Sequence, residues 1–171
     1  MSKGCFGMKD EFEYLIAMKK SRKKPQEGDV FVLQPIEGVF YFGKVIQTDI
    51  KSVDSFVNGM TLIYVYHYFS DSKEMPDALE NEELLIPPVV VNLQPWTRGY
   101  FETIGNVRVS EKERNVDFAF WDVLRGKYVD ITTAQPIALK KEPKYRSIFG
   151  LGSYGVVGKE VHKTLQEANI H

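Results

Sequence analysis

The sequence predicts an α+β fold: a strongly bent, mostly antiparallel β-sheet with a helix toward the N-terminus and a helix toward the C-terminus. Three observations carry this. Runs of β-branched and aromatic residues recur at strand length between turn residues. One run, Val39–Ile46, is apolar on both faces, as a strand covered on both sides must be. The two ends of the chain instead repeat apolar residues at helical spacing. With 171 residues, a single domain spanning 1–171 is expected.

The elements follow in order. Met8, Phe12, Leu15 and Ile16 predict a helix over Met8–Lys19, with Asp10, Glu11 and Glu13 near its start and lysines near its end. Val30–Leu33 and Val39–Ile46 flank the turn residues "PIEG" and predict a hairpin. Gly43, inside the second run, marks a bulge or a tight bend. Thr61–Phe69 is a third strand, and Asp71–Glu83 is an acidic loop or irregular helix. "LLIPPVVVNL" is extended but interrupted by Pro87 and Pro88, which suits an edge strand or a crossover. "RGYFETIGNVRV" predicts two short strands around Gly105–Asn106, and "VDFAFWDV" and "YVDITT" one each. "ALKKEPKYRSIFGLGSYG" reads as a long connector. Val157, Val161 and Leu165 define the last helix.

Composition narrows the function classes. A net charge of −1 gives no general attraction to nucleic acid or to anionic membranes. The single cysteine, Cys5, can form no internal disulfide and no cysteine-rich zinc site. No apolar run approaches a membrane span, and the N-terminus lacks the apolar core of a secretory signal, so a cytoplasmic protein is expected.

"GLGSYGVV", from Gly150 to Val157, matches the lettering of a glycine-rich phosphate loop. Only 14 residues follow it, too few for the strands, lysine and acids that such loops require. The glycines are expected to turn the backbone into the last helix, with Ser153 as its cap. His67, His162 and His171 are scattered, and no paired ligand or nucleophile spacing occurs. No catalytic residue, metal or cofactor is therefore assigned, and the protein is expected not to be an enzyme.

Binding is the remaining class. The acidic stretch holds Asp71, Glu74, Asp77, Glu80, Glu82 and Glu83 against Lys73 and is the candidate docking surface for a basic partner. Trp96, after Pro95 in a turn, joins it as a partner-contact candidate if exposed. Trp121 is expected in the core. Basic residues cluster at Lys19–Lys24 and at Lys140–Arg146.

The segment "KKSRKKPQEGDVFVLQPIEGVFYFGKVI" resembles the opening of the immunity protein 26 family of bacterial polymorphic-toxin systems. The matching features are Lys23 and Lys24, Gly28–Asp29 before the first strand, Gly38 in the turn, and Gly43–Lys44–Val45 in the second strand. Openings of this kind also begin small SH3-like barrels. The resemblance implies a non-catalytic protein, encoded beside a toxin, that neutralises this cognate protein toxin by binding it. Two other readings stay open at this level: a small β-barrel module binding nucleic acid through the two basic clusters, and a nucleotide site at Gly150–Gly155.

Overall fold

The computed structural model describes residues 14–169. Its frame is an open five-stranded antiparallel sheet. Strand β1 (Asp29–Ile36) turns through Glu37–Gly38 into β2 (Val39–Gln47), with Ile36 opposite Val39. Gly38 takes a positive φ of 79°, and its N–H donates to the Gln34 side chain at 2.8 Å. Strand β3 (Thr61–Ser70) pairs with β2, and β4 (Leu84–Val91) with β3. The short helix α1 (Gln94–Thr97) then leads to β5 (Glu102–Asn106), which pairs with β1, so the order is β4-β3-β2-β1-β5. Every pairing in this sheet carries a register shift, the local source of its bend. The expected hairpin, the third strand and the proline-bearing edge strand are all present. The bent, mostly antiparallel sheet is thus as expected; it stays open, with β4 and β5 at its ends, and does not close into a barrel.

Alternation sorts the side chains onto two faces. Val30, Val32, Phe42, Ile46, Tyr64 and Tyr66 share one buried cluster. Phe31, Leu33, Tyr41, Val45, Ile63 and Val65 share the other. The first face is covered by a three-stranded sheet of β6 (Phe118–Asp122), β7 (Lys127–Val129) and β8 (Tyr145–Ile148), in order β7-β6-β8. The second is covered by Leu15, by Trp96 and Phe101, and by Val157 and Val161 of the last helix, α3 (Tyr154–Asn169). Helix α2 (Glu111–Arg114) precedes β6. Ser110 caps α2, and Ser153 Oγ accepts the Val156 N–H at the start of α3.

Gly43 sits at a register shift in the β2–β3 pairing. A Cβ there would collide with the Phe31 ring and lie 2.7 Å from the Tyr64 carbonyl oxygen. Close approach, not positive φ, explains this glycine.

Three sequence expectations are corrected. Met8–Glu13 lies outside the described residues, and the remainder of the expected first helix, Tyr14–Lys19, is not helical. Its N–H groups are taken by distant carbonyls: Ile16 by Gln34 and Met18 by Gly99, at 2.8 and 2.7 Å. Of the two short strands expected around Gly105–Asn106 only β5 (Glu102–Asn106) forms, and residues 107–109 are not strand. The expected connector contains β8, which pairs parallel with β6.

Candidate partner interface

The acidic stretch is a strap laid across the sheet. It leaves β3 after Ser70, crosses toward β5 and returns to β4. Lys73 lies over the Phe40 ring of β2 and pairs with Glu102 of β5 at 2.9 Å. The Met75 methyl reaches Gly105 of β5, where a Cβ would stand 2.5 Å from it. Leu79, in a single 3-10 turn over Leu79–Asn81, is buried in the core. The His67 N–H donates to the Glu83 carbonyl at 2.7 Å and closes the return. These anchors hold the backbone while the carboxylates face outward.

Asp71, Glu74, Asp77 and Glu82 are exposed and Glu80 is half-buried, and none of the five forms an ion pair among the described residues. Glu83 is different. It accepts from Lys144 Nζ at 2.5 Å and from the Tyr145 hydroxyl at 3.0 Å, and these bonds hold its carboxyl below the usual range. The basic tract Lys140–Arg146 thus meets the strap instead of standing apart from it. Arg146 lies 3.9 Å from the centroid of Trp121, which is half-buried and not core as expected. In the other basic cluster, Lys24 pairs with Asp49 at 3.3 Å.

Where the strap returns, Glu80, Glu82 and Glu83 line a cleft of about 250 Å³ with Lys112, Asp117 and Lys144 opposite. Tyr66 and Glu113 lie at its base, in a buried ionic network that the sequence reading missed. Lys44 Nζ pairs with Glu113 Oε1 at 2.8 Å, with side-chain exposures of 2% and 1%. Lys44 also donates to the Arg108 carbonyl at 3.1 Å. Glu113 Oε2 accepts from Tyr66 at 2.5 Å, and Oε1 from the Ser110 N–H at 2.9 Å. The Tyr64 hydroxyl donates to the Glu113 carbonyl at 2.8 Å. Burial pulls the Glu113 carboxyl upward, but the bonds from Lys44, Tyr66 and Ser110 outweigh it and leave the pKa lowered. Burial, with the nearby Glu113 charge, pushes Tyr64 up to about 12 and raises Tyr66 further. Two sequence signals pointed here: a lone lysine in the apolar run "VFYFGKVIQ", and the S-x-x-E capping box at Ser110–Glu113.

Trp96 does not belong to this surface. Only 2% exposed, it packs edge-on against Phe31 and Phe101 in the second cluster, and its Nε1 has no hydrogen-bond partner among the described residues. The turn after Pro95 points the indole inward, so the exposed-rim expectation is corrected. The glycine loop also has a packing role. The Gly152 N–H donates to the Val90 carbonyl at 2.7 Å, and a Cβ on Gly152 would lie 2.7 Å from Val89 Cγ1. His67 is exposed, and a His162 ring nitrogen lies 2.7 Å from the Tyr14 carbonyl oxygen. His171 and Cys5 lie outside the described residues. No group of three or more His, Cys, Asp or Glu able to hold a metal occurs among the described residues.

A family model described as "Immunity protein 26" matches residues 26–130. This is more than half of the chain. The chain belongs to the immunity protein 26 family. The family region contains the five-stranded sheet, the strap, the Lys44–Glu113 pair and strands β6 and β7. Strand β8 and helix α3 lie beyond it. Membership supports an immunity function and fits a role without catalysis. Neither the curated proteins nor the solved structures compared with the chain gave a match. No helix among the described residues is long and apolar enough to cross a membrane.

Proposed function

We propose that this protein neutralises a cognate bacterial toxin by binding it in the cytoplasm, without chemistry of its own, and that the acidic strap is the docking surface. The observation that carries the proposal is the strap itself: five carboxylates without ion-pair partners among the described residues, on a backbone fixed at Lys73, Met75 and Leu79. An immunity protein must meet its toxin quickly, and like-signed charge on a fixed surface speeds and orients encounter with a basic partner. The partner is then a toxin domain with a basic cleft, as enzymes acting on nucleic acid have.

Changing Asp71, Glu74, Asp77 and Glu82 together to their amides tests this. No single change suffices, because exposed charges contribute little individually. Cells producing the toxin domain encoded beside this protein's gene are expected to survive with the parent protein and to lose protection with the quadruple variant, which melts at the parent temperature. Full protection by the variant would place the docking surface elsewhere.

A further inference from the structure

A second charged surface lies where the segment before β1 packs on α1. The Met18 N–H donates to the Gly99 carbonyl at 2.7 Å, and the Ser21 N–H to the Trp96 carbonyl at 3.0 Å. Gly99 takes a positive φ of 80°, and a Cβ on it would stand 3.1 Å from the Met18 carbonyl oxygen and 3.3 Å from Lys20 Cγ. This close approach seats the Lys20 stem against the end of α1. Lys20, Ser21, Arg22 and Thr97 together line a concavity of about 580 Å³. The lining holds two cations and two hydroxyls, with no carboxylate and no apolar side chain. Lys19 and Lys23 flank it in sequence, and Arg98 follows Thr97. These five cations are exposed, and none forms an ion pair among the described residues. No Asp or Glu occurs in residues 14–26 or 92–101.

We propose that this surface binds the phosphate backbone of a nucleic acid strand, an inference that goes beyond the immunity reading and does not depend on it. The lining selects an anion: the ammonium and guanidinium supply charge, and the hydroxyls donate to further phosphate oxygens. A concavity lined in this way takes one phosphate, and the cations around it take its neighbours along the strand. Such contacts position a strand without reading its bases. The neighbouring Tyr100 and Tyr154 rings stack on each other at 4.8 Å, so binding is expected to be independent of sequence. The net charge of −1 does not oppose this. At physiological salt, screening confines the reach of each exposed charge to about 8 Å, so the local set decides. For an inhibitor of a toxin that acts on nucleic acid, the patch would hold the protein on the polymer under attack.

The test needs no toxin. Labelled single-stranded oligouridylate is titrated with the whole protein across salt concentration, with fluorescence anisotropy as readout. Affinity is expected to fall with salt at a log–log slope of about −3.5, that is about 0.7 for each of five neutralised phosphates. The double variant Lys20→Ala with Arg22→Ala is expected to bind more weakly and to flatten the slope to about −2, three cations remaining. Lys140→Ala with Lys141→Ala, in the other basic tract, is expected to leave both unchanged. Polyglutamate is expected to displace the oligonucleotide far less well than an unlabelled strand of equal charge. The proposal is overturned by absent binding at low salt, or by a slope that the Lys20 and Arg22 changes do not alter. Equal competition by polyglutamate would also overturn it, since the patch would then fit an acidic protein surface. So would low-salt self-association that the strap amides abolish, or capture by phosphatidylserine vesicles in place of the strand. The salt slope of the parent protein does not depend on how a variant folds. Failure here, with strap-dependent protection intact, would remove the phosphate site and leave the immunity reading standing.

Discussion

Glu113 closes the cap of α2, holds the buried Lys44 ammonium and accepts from Tyr66 with one carboxylate. Removing it leaves an ammonium in the core without its counter-charge. Glu113→Ala is therefore expected to lower stability by about 3–5 kcal/mol, read by urea denaturation. Replacing the pair together, Lys44→Met with Glu113→Leu, is expected to be less damaging than Glu113→Ala alone, because no charge is then stranded. Acid provides a second view. The folded pKa of Glu113 is depressed, so its stabilisation is complete above the unfolded carboxylate value of about 4.3 and is lost as pH falls through the folded pKa. Glu113→Gln is expected to flatten the acid limb of the stability curve and leave the slope near neutral pH unchanged. An unaltered acid limb would mean that other carboxylates govern it. Gly43 gives a steric counterpart. Gly43→Val would drive a side chain into the Phe31 ring and the Tyr64 carbonyl, and its urea midpoint is expected to fall by the equivalent of at least about 1–3 kcal/mol. An unchanged midpoint would contradict the close packing of β2 against its neighbours.

Elements whose pattern is local were legible before the structure. The β1–β2 hairpin, β3, the edge strand β4 and α3 all have period or turn chemistry confined to their own residues. Elements settled by distant partners were not. Leu15 and Ile16 have helical spacing, yet Ile16 and Met18 bond to Gln34 and Gly99, so the segment lies extended against the sheet. Strand β8 is four residues long and charged, and only its parallel pairing with β6 makes it a strand. The acidic stretch was legible as a charge run, but its anchoring at Glu102 and Gly105 depends on β5 standing two strands beyond β2. Trp96 could not be placed from a turn that leads as easily inward as outward. The cap of α3 was readable. Ser153→Ala removes the acceptor for the Val156 N–H and is expected to lower stability by about 1 kcal/mol, visible as a reduced thermal midpoint and faster amide exchange in the first turn of α3. Exchange unchanged at Val156 would show that the cap is dispensable.

At the scale of the whole molecule, the family region supplies a bent sheet buried on both faces, and the strap crosses one of them. A rigid sheet fixes where the carboxylates stand, which a free loop of the same charge would not do. The buried pair beneath the cleft ties α2 to β2 and β3, so the wall facing Glu82 and Glu83 is held as firmly as the strap. Recognition by such a surface is electrostatic first, and its signature is kinetic. The most direct measurement is the stopped-flow association rate of this protein with the toxin domain it is proposed to bind, across ionic strength, for the parent and for the variant carrying amides at Asp71, Glu74, Asp77 and Glu82. The parent rate is expected to fall steeply with salt, and the variant to associate slowly with a nearly flat salt dependence, the two converging at high salt. Equal rates and equal slopes at every salt concentration would contradict docking through the strap.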